Sequence, residues 1–126
     1  MLAPPQVILL EPGDDDFVVL NGCVVSACRY MASIRAQNRL RENFWSRVML
    51  VRYRDNDAGH AYCVWQTDGQ IFGYDRAGSF PIPGNSRDPR DIAESLARSV
   101  EKMTKKSMIV ERAEFIEPKH AKLRAY

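Results

Sequence analysis

Long apolar runs are what this chain most plainly lacks. None approaches the roughly 20 consecutive apolar residues that a membrane-crossing helix needs. Val7–Leu10, near the N-terminus, is a run of only four, too short for a signal peptide, and no basic segment precedes it. Neither a membrane span nor export is expected. Cysteine is scarce as well: three residues, an odd number, do not make a disulfide framework, so a reducing cytoplasm is the expected compartment. Charge of one sign is missing too. Lys and Arg number 18 against 16 Asp and Glu, a net +2, too mild to argue for nucleic acid from composition alone. There is no internal repeat, low-complexity tract or shift in composition that would mark a domain boundary. What is present is 126 residues, 45% of them hydrophobic, enough for one domain with its own core. A single domain over residues 1–126 is expected, with a loose basic tail from about 118 to 126.

The stretch that organises the rest is GHAYCVWQTDGQIFGYD, residues 59–75. It reads as two strands joined by Asp68-Gly69, a strong hairpin signal. With those two as the loop, Thr67 pairs with Gln70 and every later pair keeps the same index sum, so Tyr62 falls opposite Asp75. Alternate residues on a strand share a face, as do cross-strand partners. His60, Tyr62 and Asp75 therefore share one face, with Asp75 the diagonal neighbour of His60 at roughly 7–8 Å between backbones, within reach of a His–carboxylate hydrogen bond. Ala61, Cys63 and Trp65 face the other way. A one-residue change in loop length would put Asp75 on the wrong face.

Around this hairpin the chain alternates between helical and extended patterns. Val24, Ala27, Cys28, Met31 and Ile34 recur at three- and four-residue steps and predict a helix over about 22–43, with Asn21 as its N-cap. Its polar second half, with Arg35, Arg39 and Arg41, is read as the exposed end. Residues 47–54 predict a strand. After the hairpin, residues 76–88 read as a Gly/Pro-rich loop. A second helix is expected over about 89–105, capped by Asp88 with Pro89 in its first turn, and with Ile92, Leu96, Val100 and Met103 as its buried stripe. Residues 108–116 give a last strand. The order is helix, three strands, helix, strand: an α+β fold in which a long central helix packs on a mainly antiparallel sheet and the second helix precedes the last strand.

One thiol stands out. With Asn21 as cap, Cys23 falls in the first turn of the long helix, where the macrodipole and unpaired amides favour an anion and hence a reactive thiolate. It also sits at the edge of the apolar stripe, where it can meet His60 at the seam between helix and sheet. Cys28 lies inside the stripe and Cys63 faces away from His60, so both read as small core hydrophobes. A thiol next to a histidine that a carboxylate orients is the arrangement nucleophilic catalysis requires.

A Cys opening a long helix, followed by GHAY at 59–62 and a strand ending in YD at 74–75, resembles the papain-like cysteine peptidase superfamily, nearest its transglutaminase-like branch. The resemblance spans roughly residues 21 to 80. It implies a papain-like core and a Cys23–His60–Asp75 triad acting on an amide or ester of a peptide, a protein or a small molecule, by hydrolysis or by transfer to an amine, with no cofactor. Gln6 and Asn21 are the candidate oxyanion side chains, and Tyr62 and Ser79 are candidates for shaping the substrate pocket. Cys23 is flanked by Gly22 and Val24, whereas the branch often has an aromatic beside its cysteine.

Three rival readings follow from the same residues. Cys23, Cys28, His60 and Cys63 are of the right types for zinc, but the two helical cysteines stand about 140° apart around the helix. His60 and Cys63 also project from opposite strand faces, so no metal is expected. Seven arginines between residues 29 and 54, interleaved with Phe44, Trp45 and Tyr53, resemble a strand-binding surface. Their positions on an outer helix face and at strand ends suit a solvated role, and nucleic acid is not the expected partner. The third reading keeps the cysteine-peptidase-like fold but uses it as a non-catalytic protein-interaction domain.

Overall fold

Apolar stripes at helical spacing and strand-length apolar runs must be buried against one another, and the chain does this in layers. The computed structural model describes residues 6–8, 21–54, 59–116 and 123–125, with side chains for 22–54 and 59–116. Helix α1 (Asn21–Gln37) buries Val24, Ala27, Met31 and Ile34, and Cys28 is half-buried beside them. Residues 38–43, expected as the end of this helix, form turns instead. The Asn38 amide donates to the carbonyls of Ile34 and Arg35, at 3.0 and 3.2 Å. Its side-chain amide also donates to Ile34 O at 2.7 Å. A local side-chain bond of this kind competes with helix continuation, and Asn43 reverses the chain with φ 63°.

Strand β2 (Trp45–Tyr53) follows, then β3 (His60–Thr67) and β4 (Gln70–Asp75). The expected hairpin register holds from Thr67↔Gln70 to Cys63↔Tyr74. Asp68 and Gly69 both have positive φ, 51° and 83°, the turn geometry whose twist suits a two-residue hairpin loop. The stretch read as a long loop departs from expectation. Gly78–Ile82 is a strand, β5, paired from Ile71↔Ile82 to Asp75↔Gly78. Arg76 and Ala77 are thus the loop of a second hairpin. Asp75 Oδ1 accepts the Ala77 amide at 2.8 Å, a local bond that makes aspartate a turn-former. The Gly/Pro-rich composition reads as a loop, yet β5 is an edge strand, where the amide donor that Pro81 lacks is not missed.

Helix α2 (Pro89–Thr104) starts as expected. Asp88 accepts the amides of Arg90 and Asp91 at 3.0 and 3.2 Å. Ile92, Ala93, Leu96 and Ala97 are its buried residues. Met103, expected in this stripe, is 84% exposed, because the helix ends one residue later and Lys105 takes a left-handed conformation with φ 60°. Strand β6 (Val110–Ile116) completes a five-stranded antiparallel sheet of order β5-β4-β3-β2-β6. Gln6–Ile8 (β1) and Leu123–Ala125 (β7), the latter within the stretch read as a tail, pair antiparallel in a separate two-stranded ribbon.

The two helices cover opposite faces of the sheet. Met49, Val51, Tyr53, Tyr62 and Val64 pack with α2, whereas Val48, Leu50, Ala61 and Cys63 pack with α1. This explains why β2 carries four consecutive residues, Val48 to Val51, that are all 0% exposed: a strand covered on both faces needs no polar alternation. The architecture is α+β, with the sheet held between its helices. Among the described residues no helix is long and apolar enough to cross a membrane.

Candidate functional site

Three elements end at the same corner of the sheet. Helix α1 begins there, β3 begins there, and the β4–β5 turn closes there. They enclose a cleft of about 260 Å³ whose lining includes Cys23 and Ser26 from α1, His60 from β3, and Asp75, Arg76 and Ala77 at the end of β4. All three residues of the expected triad line this one cleft. Cys23 is half-buried in the first turn of α1, just after Gly22, and the helix starts at Asn21 itself rather than after it.

The route by which the three meet follows from strand alternation. Val51, the partner of His60, lies on the α2 face, so His60 belongs to that face together with Tyr62. Its ring stands 5.9 Å from the Tyr53 ring and 6.1 Å from the Tyr62 ring. Tyr74 stacks at 3.7 Å on Tyr30 of α1, which puts Asp75, the next residue, on the α2 side with His60. Cys23 reaches the cleft from the other layer, around the start of β3. Thiol and imidazole therefore share a cleft because both lie at the rim of the sheet, not because they share a face.

Beneath His60 the two tyrosines form a hydroxyl pair, Tyr53 Oη to Tyr62 Oη at 3.2 Å. Burial raises both phenols above their ordinary range. For Tyr53 the bond to Tyr62 opposes the rise, and the Asp75 charge adds to it. For Tyr62 burial is again the leading cause, followed by Tyr53, with Asp75 and Cys23 contributing in the same direction. The field of Asp75 thus reaches the aromatic floor on which His60 rests. Among the described residues no hydrogen bond joins Asp75 to His60; the recorded partner of Asp75 is the Ala77 amide.

The other expected participants are distributed as follows. Tyr62 is buried in the core and Ser79 is exposed on β5; neither is among the residues lining the cleft. Gln6 lies in β1, opposite Ala125, and Asn21 opens α1; their side chains lie outside the described residues. Cys28 is raised to about 11 by burial. Cys63 is raised to about 12, chiefly by burial, with Arg35 opposing and Cys28 adding to the rise. Both are held as neutral thiols. Among the described residues no three His, Cys, Asp or Glu side chains are grouped so as to hold a metal ion.

Arg76, Ser26 and Ala77 were not singled out by the sequence. For Arg76 and Ala77 the signal was there, since Asp75 and Gly78 bracket a two-residue turn, but Pro81 masked the strand that follows. The chemistry available at this corner is that of a thiol, an imidazole, a carboxylate and a guanidinium around one small opening of an α+β fold. In comparisons with known proteins the chain matches no family model, no curated protein and no solved structure.

Proposed function

We propose that this cleft is a thiol-dependent acyl-transfer site, and that the protein is a cysteine hydrolase or acyltransferase of peptidase, amidase or transglutaminase-like type. The observation that carries the reading is the convergence of Cys23, His60 and Asp75 on one cleft. The order of those residues along the chain, and the resemblance to a papain-like core that it carries, add to it. In the proposed reaction His60 takes the Cys23 proton and the thiolate attacks the carbonyl carbon of an amide or ester. The Cys23 backbone amide, in the first turn of α1, offers a donor to the developing oxyanion, with Asn21 and Gln6 as further candidates. His60 returns the proton to the leaving group, and water or an amine then takes the acyl group from sulfur. Asp75 orients His60, a role that requires its carboxylate to turn from the Ala77 amide toward the imidazole; catalytic hydrogen bonds often tighten only when substrate is bound. The substrate is a peptide, a protein or a small amide, no cofactor takes part, and a reducing cytoplasm is the setting in which a free Cys23 thiol persists.

One observation favours a second reading. The bond from Ala77 to Asp75 Oδ1 gives that carboxylate a structural duty in the β4–β5 turn, as expected of a non-catalytic interaction domain. Exposure to p-nitrophenyl acetate separates the two. The proposal expects mass spectrometry to find an acetyl group on Cys23 that decays as water or added amine accepts it, with acetylation at least about a hundredfold slower in His60→Ala, the usual scale of general-base assistance. Acetylation no faster than in the urea-unfolded chain, or unchanged by His60→Ala, would leave the binding-domain reading standing.

A further inference from the structure

Arg76 lines the cleft together with Cys23, and among the described residues its guanidinium is paired with no acid. Gly22, the residue before Cys23, makes room for it: a Cβ at position 22 would overlap the guanidinium. Arg52, Arg90 and Arg112 are paired with glutamates, Arg35 bonds to Ser46, and Arg47 and Arg87 lie over the Trp45 ring. Arg76, like Arg29, Arg39, Arg41, Arg54 and Arg98, makes no side-chain ion pair or hydrogen bond among the described residues; what sets it apart is that it lines the cleft, next to a carboxylate that accepts the Ala77 amide. It also stands over the first turn of α1, where unpaired amides carry the positive end of the helix dipole. A cation held against another positive pole, open to solvent and at the side of a nucleophile, is arranged to receive an anion, and a guanidinium fits a carboxylate with two parallel hydrogen bonds.

We propose that Arg76 makes the cleft selective for acyl substrates bearing a carboxylate close to the carbonyl that Cys23 attacks, such as a peptide cleaved near its C-terminus or next to an acidic side chain. The inference rests on the thiol reading above and deepens it. Ser26, one helical turn from Cys23, lines the same cleft. Asp75 is the one carboxylate among the described lining residues and would repel an anion placed on its own side, which confines a substrate carboxylate to the Arg76 side.

Iodoacetate and iodoacetamide test this directly, because they deliver the same carbon to sulfur with loss of iodide and differ only in the carboxylate. The rate ratio of iodoacetate to iodoacetamide at Cys23, divided by the same ratio for glutathione, is expected to exceed one by about fivefold, the scale of a single partly exposed ion pair. It is expected to fall toward one in Arg76→Gln, to be partly kept in Arg76→Lys, and to shrink in high salt. A normalised ratio of one or below in the wild type, or a ratio that Arg76→Gln leaves unchanged, overturns the proposal. Failure of the underlying reading looks different: the rate with neutral iodoacetamide would then not respond to His60→Ala, whatever the ratio.

Discussion

Burial decides which of the thiols can act. Cys28 and Cys63 are raised to about 11 and about 12, whereas an unfolded chain would release both protons near the ordinary thiol value of 9.0. The folded state therefore holds these protons longer than the unfolded state does. The stability this gives is fully present below pH 9 and is lost as pH climbs toward 12. Tyr53 and Tyr62, both raised from 10.0, act in the same direction. Chemical denaturation followed from pH 7 upward is expected to show a midpoint that falls steeply above pH 9, with a shallower fall in Cys63→Ala once each variant is referred to its own neutral-pH value. An identical alkaline slope in the variant would show that Cys63 does not hold its proton by burial.

The elements form where local signals and burial agree. Asp88 illustrates this: its side chain satisfies two amides of the first turn of α2, and Asp88→Ala is expected to cost about 1 kcal/mol, read as a shift in the urea midpoint with an unchanged slope; a shift within error would mean that solvent caps the helix equally well. This helix start, the Asp68-Gly69 turn and the β3–β4 register from Thr67↔Gln70 to Cys63↔Tyr74 were legible in the sequence because each rests on interactions a few residues apart. The misses have the opposite character. Strand β5 was hidden by Pro81, whose cost vanishes only at a sheet edge, and the sheet's edges are a property of the whole fold. Residues 38–43 looked helical by spacing, yet the Asn38 side chain bonds back to Ile34 O and ends the helix. Met103 kept the helical period but fell past the sheet that would have covered it.

The whole molecule adds what no segment contains, namely the meeting of two layers at one corner. Cys23, His60 and Asp75 could be nominated from spacing and register. That His60 sits on the α2 face while Cys23 arrives from the α1 layer could not, because it depends on helices covering both faces of the sheet. Arg76 was invisible for the same reason, since its place in the cleft follows from a turn closing beside the start of α1. The central claim is that this corner couples the Cys23 thiol to the His60 imidazole. It is tested most directly by the pH dependence of iodoacetamide labelling at each cysteine, read by peptide mass spectrometry on wild type and His60→Ala. Cys23 should react rapidly near neutral pH and slow markedly without His60, while Cys28 and Cys63 remain unlabelled until the pH approaches about 11 and about 12. Labelling of Cys23 that follows an ordinary unperturbed thiol in both proteins, or no labelling at all, would contradict the claim.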